Sequence, residues 1–414
     1  GEEPLANLVS DLLANGAKKV IVTSDRPEGI SGLPGGTEAW HRDRLDEAQL
    51  ALAAIPGTTV LVHDQECAAE LRRARSRGKA EEPVEVTVIN ERVCEGCGDC
   101  GVKSNCMSVE PVATEFGRKT RIHQSSCNKD FSCVKGFCPS FVTVTPNPEP
   151  AAADGKKKKK KGRIPVLERE LPTPPKKVDD TLGFGIHVMG IGGTGSVTVV
   201  ATIAAAARLE GKHVIGLDQT GLAQKGGAVI SDIKITHQPF AGSPKVSDGR
   251  TDLYLGFDIL NATDPKNLDK CLPERTIAIV STTATPTGQM VANRNVVFPI
   301  VPNLTAGIER VTRKADNVFV DGQAMAEGLF GDAMATNNFM VGVAYQAGTI
   351  PLKAESIETA IKNSGVGVEQ SLAAFRWGRM TVVDRAFVIA EIAKYAPKVN
   401  KPELSAAARA IVEM

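Results

Sequence analysis

The chain has 414 residues, of which 42% are hydrophobic, 23% charged and 4% aromatic, with a formal net charge of +1. That length implies two or three domains, and the balanced charge and scarce aromatics argue against a partner recognised by bulk charge or by stacking, so neither nucleic acid nor a membrane surface is expected. No run of 18 apolar residues and no basic-then-apolar leader is present, which points to a cytoplasmic protein, and the absent starting Met suggests a fragment or a processed piece.

Residues 1–83 read as a small α/β segment, the tail of a larger domain. PLANLVSDLLAN, RLDEAQLALAAI and CAAELRRARSRG have helical periodicity, while KKVIVTSD and TTVLVHD read as buried strands. VEVTVI opens and FVTV closes a cysteine-rich domain at 84–145. Residues 146–182, rich in Pro and carrying six lysines at 156–161, read as an extended linker without apolar periodicity. From 183 to 414 the α/β pattern returns. FGIHVMGI, KHVIGLD, AVISDIKI, DLYLGFDIL, TIAIVST and NVFVDG are strands; TGSVTVVATIAAAARLEG, AESIETAIKNSG and the stretch around DRAFVIAEIAKYA are helices.

Nine cysteines occur, and seven fall between 94 and 138. Such clustering in a chain without an export signal favours metal or redox chemistry over disulfides. Cys94-x2-Cys97-x2-Cys100 has the spacing with which three thiolates grip one cubane [4Fe–4S] cluster, the fourth ligand being a distant Cys before Pro, here Cys138. The glycines of EGCGDCG suit a loop that needs left-handed backbone and aims N–H groups at sulfur. A second triplet, Cys127-x2-Asp130-x2-Cys133, carries Asp in its middle position. With Cys106 it makes a second candidate site, whose carboxylate-bound iron would be labile and leave a [3Fe–4S] cluster. The competing reading is structural zinc, which is built from Cys pairs rather than triplets. Cys67 and Cys271 read as small buried hydrophobes.

Gly190-x-Gly192-Gly193-x-Gly195 follows a strand and opens a helix, and Asp218 ends the next strand. By spacing this is the dinucleotide fingerprint, which keeps an NAD-linked iron–sulfur oxidoreductase in view. The polar, glycine-rich stretch after Asp218 tells against it, although the loop still suits an anion such as a CoA phosphate. Gly331-Asp332 and Asn337-Asn338 are too close together to form a thiamine–magnesium motif. A third reading is a non-enzymatic zinc module tethered to nucleic acid.

VCEGCGDCGVKSNCMSVEPVATEFGRKTRIHQSSCNKDFSCVKGFCPSFVTV, GIGGTGSVTV and DQTGLAQKGGAVISDIKI together resemble the fused indolepyruvate ferredoxin oxidoreductases, thiamine-dependent 2-oxoacid:ferredoxin oxidoreductases; DQECAAELRR, ATNNFMVGVAY and AFRWGR are further points of similarity. The resemblance implies a ferredoxin-like iron–sulfur domain followed by a Rossmann-like, gamma-type α/β domain. It implies electron transfer from an aryl 2-oxoacid on thiamine diphosphate and Mg, through clusters, to ferredoxin, with release of acyl-CoA and CO2. Gln224, Lys225, Gly226 and Gly227 would approach the CoA or thiamine region. The thiamine-binding portion would come from upstream sequence or another subunit, the assembly would be a homo-oligomer, and this chain alone would be inactive.

Overall fold

The computed structural model describes residues 4–76, 78–104, 106–145, 163–221, 226–365 and 367–396. It divides into two compact units, Gly1–Glu82 and Pro83–Met414. The first contains α1 (Leu5–Ala14), β1 (Lys19–Ser24), β2 (Glu38–His41), α2 (Leu45–Ala53), β3 (Thr59–Asp64) and α3 (Ala68–Ser76). Its strands form a parallel sheet in the order β2-β1-β3. Val20, Ile21 and Val22 of the central strand are buried on both faces, against Val9 on one side and Ala48 and Leu52 on the other. The two-strand expectation for this segment is corrected to three. Cys67, expected to be buried, is exposed, because it precedes α3 and its carbonyl starts that helix by accepting from Leu71.

The second unit opens with the cysteine region. Here β4 (Val86–Ile89) pairs antiparallel with the later β7 (Phe141–Val144). Between them lie α4 (Asp99–Ser104) and a hairpin of β5 (Val109–Thr114) and β6 (Gly117–Ile122).

Next come β8 (Phe184–Ile191), α5 (Ser196–Leu209), β9 (His213–Thr220), β10 (Ala228–Thr236), β11 (Leu253–Gly256), α6 (Pro265–Leu268), β12 (Ile277–Ser281), α7 (Gly288–Ala292), α8 (Val301–Glu309), β13 (Val318–Val320) and α9 (Gly322–Phe330). The six strands lie in the order β13-β12-β11-β8-β10-β9. Strands β8, β11, β12 and β13 are parallel, and β10 is antiparallel to both its neighbours. Runs such as Leu253–Gly256 and Ile277–Ser281 are buried throughout, as expected for strands covered on both faces.

Four helices complete the unit: α10 (Thr336–Gln346), α11 (Ala354–Ser364), α12 (Val368–Val383) and α13 (Arg385–Ala393). At the α10–α12 crossing a Cβ on Gly342 would lie 2.0 Å from the Phe375 carbonyl oxygen, and one on Gly378 would lie 1.9 Å from that of Phe339. Glycine on both helices therefore lets the two backbones touch.

The described part of the expected linker, 163–182, is not a free tether. Val178 is buried in the main core, and Leu167 and Leu171 pack against it. Trp377 donates to the Pro165 carbonyl (3.0 Å), and Gln346 and Arg379 donate to that of Pro172 (2.9 and 3.2 Å). A proline-rich segment has no ladder of its own, so its carbonyls accept from side chains of the domain beneath. The lysine run lies outside the described residues.

Candidate functional site

Pairing of β4 with β7 brings Cys94 and Cys138 to one end of the ribbon, where Asn90 N–H donates to the Ser140 carbonyl at 2.8 Å. Cys100 sits in the first turn of α4. Gly96 and Gly98 have φ of +65° and +86°, and a Cβ on Gly96 would lie 2.1 Å from the Arg118 carbonyl oxygen. This left-handed backbone aims the Gly96 N–H at Cys94 Sγ (3.3 Å). Ser140 Oγ stands 2.9 Å from Cys138 Sγ. Cys94, Cys97, Cys100 and Cys138 line one cavity of about 240 Å³, with Cys133 on its wall and Phe137 at its rim. Burial pushes the Cys100 thiol up to about 11, and the neighbouring charges of Cys94, Cys97 and Cys138 push the same way.

The second triplet repeats this loop. Lys129 and Phe131 are the two non-glycine residues with positive φ among those described, at +53° and +56°, and they occupy the places of Gly96 and Gly98. Lys129 N–H donates to Cys127 Sγ at 3.3 Å, as Gly96 does to Cys94. Burial pushes the Cys133 thiol up to about 12, with Cys127, Cys106 and Asp130 as the charged neighbours that add to the shift. Cys106 and Cys127 pack against the same buried cluster that contains Cys94 and Cys133, and Cys133 also lines the first cavity. Asp130 is exposed, and its carboxylate accepts from Ser132 Oγ at 3.2 Å.

Among the described residues, no three His, Cys, Asp or Glu side chains stand close enough together to hold a single metal ion. Zn–S bonds of about 2.3 Å would draw thiolates to within roughly 4 Å of one another. The first four cysteines instead surround a cavity, an arrangement that suits a cluster with iron at each corner.

The cysteine region is seated on the α/β domain at three places. Arg118 donates to carbonyls at the end of α7, those of Met290, Arg294 (2.7 Å) and Val296 (3.2 Å). On α9, Glu327 accepts from His123 Nε2 at 2.7 Å and from Ser125 Oγ at 2.8 Å. Met107, next to Cys106, packs so closely on Gly226 that a Cβ there would fall 2.0 Å from its sulfur.

The glycine loop differs from a dinucleotide site. Gly192 N–H already donates to the Gly227 carbonyl (2.7 Å), Gly226 N–H to that of Gly192 (3.2 Å), and Thr194 N–H to that of Ile191 (3.3 Å). Gly193 and Gly195 supply the left-handed turns, with φ of +85° and +93°, and Gly195 caps α5. A Cβ on Gly190 would meet Ser196 Oγ at 2.1 Å. Strand β10 lies between β8 and β9, so Asp218 is one strand removed from the loop and accepts from Ser231 at 2.6 Å. Gln224 and Lys225 lie outside the described residues. Asn261 and Asn337 donate to the carbonyls of Gly190 (3.0 Å) and Thr194 (3.1 Å) and hold the loop from below. Their role was not legible in sequence, since an Asn that braces a backbone has no motif.

Residues 185–380 match the model of the pyruvate ferredoxin/flavodoxin oxidoreductase family and form a domain of that family. The chain is 26% identical over 181 residues to indolepyruvate oxidoreductase subunit IorB of Archaeoglobus fulgidus, covering 44% of this chain and 85% of that one. It is 25% identical over 199 residues to subunit IorB of Methanothermobacter thermautotrophicus, covering 48% and 96% respectively. Among solved structures, pyruvate oxidoreductase subunit PORC of Thermotoga maritima aligns with 48% of this chain and 97% of its own, at a TM-score of 0.35 and 19% identity. The gamma subunit of keto/oxoacid ferredoxin oxidoreductase from Geobacter sulfurreducens covers 48% and 98%, at 0.33 and 19%.

Proposed function

We propose that this chain is the electron-relay and gamma-type portion of an indolepyruvate-type (aryl) 2-oxoacid:ferredoxin oxidoreductase. The observation that carries the reading is the cavity that Cys94, Cys97, Cys100 and Cys138 line together, in a region seated on a domain of this family. Cys94, Cys97, Cys100 and Cys138 would hold a [4Fe–4S] cluster; Cys106, Cys127, Cys133 and Asp130 would hold a second. Such clusters supply one-electron transfer when bound.

The chain's own residues do the rest. Gly96 and Lys129 direct N–H groups at the sulfurs of Cys94 and Cys127 and so orient them. Arg118 and Glu327 fix the cysteine region to α7 and α9. Met107 joins the second group to Gly226, and through Gly192 to the loop at the end of β8. Thiamine diphosphate, Mg and CoA would be handled with a thiamine-binding portion upstream or in another subunit. Ferredoxin would take the electrons, in a cytoplasmic homo-oligomer, and this chain alone would not decarboxylate.

Iron, sulfide and zinc content with EPR, on anaerobically purified protein, tests the reading. Near eight irons per chain with two interacting signals is the expected result for two clusters. About four irons would restrict the relay to the first group, and zinc in place of iron would overturn it. The NAD-linked alternative requires NADH binding, which the occupied Gly192 and Thr194 N–H groups and the interposed β10 argue against.

A further inference from the structure

Each cysteine loop returns a backbone N–H to the sulfur two residues back, Gly96 to Cys94 and Lys129 to Cys127. Cys138 is followed by Pro139, which has no N–H to give. Two residues on from Cys138, a side chain supplies the donor: Ser140 Oγ lies 2.9 Å from Cys138 Sγ. The chain turns tightly here. The Phe141 N–H donates to the Cys138 carbonyl at 3.3 Å, and the Asn90 N–H donates to the Ser140 carbonyl at 2.8 Å. Ser140 is thereby fixed between the turn and the start of β7, and it is 2% exposed. Cys138 Sγ is the one partner of its hydroxyl among the described residues. A buried hydroxyl needs an acceptor for its proton, and this sulfur is the one the structure offers. Both residues line the cavity with Cys94, Cys97 and Cys100.

We propose, resting on the relay reading, that Ser140 raises the reduction potential of the group held at the first cavity, through a hydrogen bond from its hydroxyl to the Cys138 thiolate. A thiolate bound to iron carries no proton, so the direction of the bond is fixed: the Ser140 hydroxyl donates and Cys138 Sγ accepts. In the step concerned, one electron is taken up, from dithionite in the test below. No bond is made or broken, and Ser140 keeps its proton. The added electron raises the negative charge on the sulfurs, and a hydrogen bond to a more charged acceptor is stronger. The bond therefore favours the reduced form. Ser140 acts through Cys138 and is a positioning residue. Unlike the Gly96 N–H, its donor belongs to a side chain, so a single substitution removes it and leaves the backbone in place.

The test is an EPR-monitored redox titration of the anaerobically purified full chain, with dithionite and mediators, following the signal that Cys97→Ala removes. Ser140→Ala should keep its iron and disfavour reduction about tenfold, a fall in midpoint potential of about 59 mV for one electron. Ser140→Thr, which keeps the hydroxyl, should stay close to the wild-type potential. An unchanged potential in Ser140→Ala with its iron retained overturns the proposal and leaves the relay reading standing. So does an equal fall in Ser140→Thr, which would trace the effect to packing and not to the hydroxyl. Absence of any iron–sulfur signal from wild type removes both.

Discussion

Asp130 stands in the second cysteine loop at the position Cys97 holds in the first, and the residues flanking each are left-handed. In the first loop those flanks are Gly96 and Gly98; in the second they are Lys129 and Phe131. A non-glycine residue held there costs of order 1–3 kcal/mol. Lys129→Gly should therefore raise stability by about 1 kcal/mol, part of the relief being offset by the greater freedom of glycine in the unfolded chain. Gly96→Ala should act the other way and more strongly, since its Cβ would lie 2.1 Å from a backbone oxygen. Urea unfolding of the two variants beside wild type reads both. A lower midpoint for Lys129→Gly would mean that its side chain contributes more than the backbone costs.

A second prediction concerns α4, which carries Cys100. A Cβ on Gly101 would fall 2.7 Å from Val291 Cγ1 and 2.8 Å from the Val291 carbonyl oxygen on α7. The backbone cannot yield as a side-chain tip would. Gly101→Ala should displace α4, costing about 1–3 kcal/mol as overpacking does, and with it lose iron from the first group while the second keeps its own. Metal analysis with EPR decides this. Full iron content would show that α4 tolerates the shift.

These contacts mark where sequence was informative. The cysteine spacing placed the first loop, because thiolates on one cluster demand a short, fixed separation. Strands β11 and β12 were legible as apolar runs, and β8 as one interrupted by His187. Strand β2, four partly exposed residues at a sheet edge, has no such run. The antiparallel setting of β10 was also hidden, because an apolar strand reads the same in either direction. Cys67 looked like a core residue, yet its place before α3 leaves it in solvent.

The strap at 163–178 was read as a linker because a proline-rich segment shows no period. Its anchors lie far along the chain. Arg379 is buried, donates to Gln346 Oε1 (2.9 Å) and the Pro172 carbonyl (3.2 Å), and lies over the Tyr345 ring at 5.0 Å. A lysine lacks the planar fork that serves both acceptors. Arg379→Lys should lower stability by about 2–3 kcal/mol and speed proteolysis within the strap. Unchanged cleavage there would mean that Trp377 and Gln346 suffice to hold it.

The last prediction concerns pH. The hydrogen bond that His123 donates to Glu327 holds its imidazolium above the usual histidine range, against burial, which pushes down; the charge of Glu110 adds to the rise and that of Arg121 opposes it. Burial pushes Glu327 up, but its bonds from His123 and Ser125 outweigh that and leave it below the usual carboxylate range. The His123 contribution is complete below its unfolded value of about 6.5 and is lost as pH rises through the raised folded value. That of Glu327 is complete above about 4.3 and is lost as pH falls through the lowered one. The seat of the cysteine region on α9 should be firmest between roughly pH 4.5 and 6.5 and weaken above it. Between pH 6 and pH 8.5, wild type should lose about 1–2 kcal/mol more than Glu327→Gln, which keeps the shape and removes the charge. Urea midpoints of both proteins at the two pH values measure the difference. Parallel losses would show that the pair is not charged when folded.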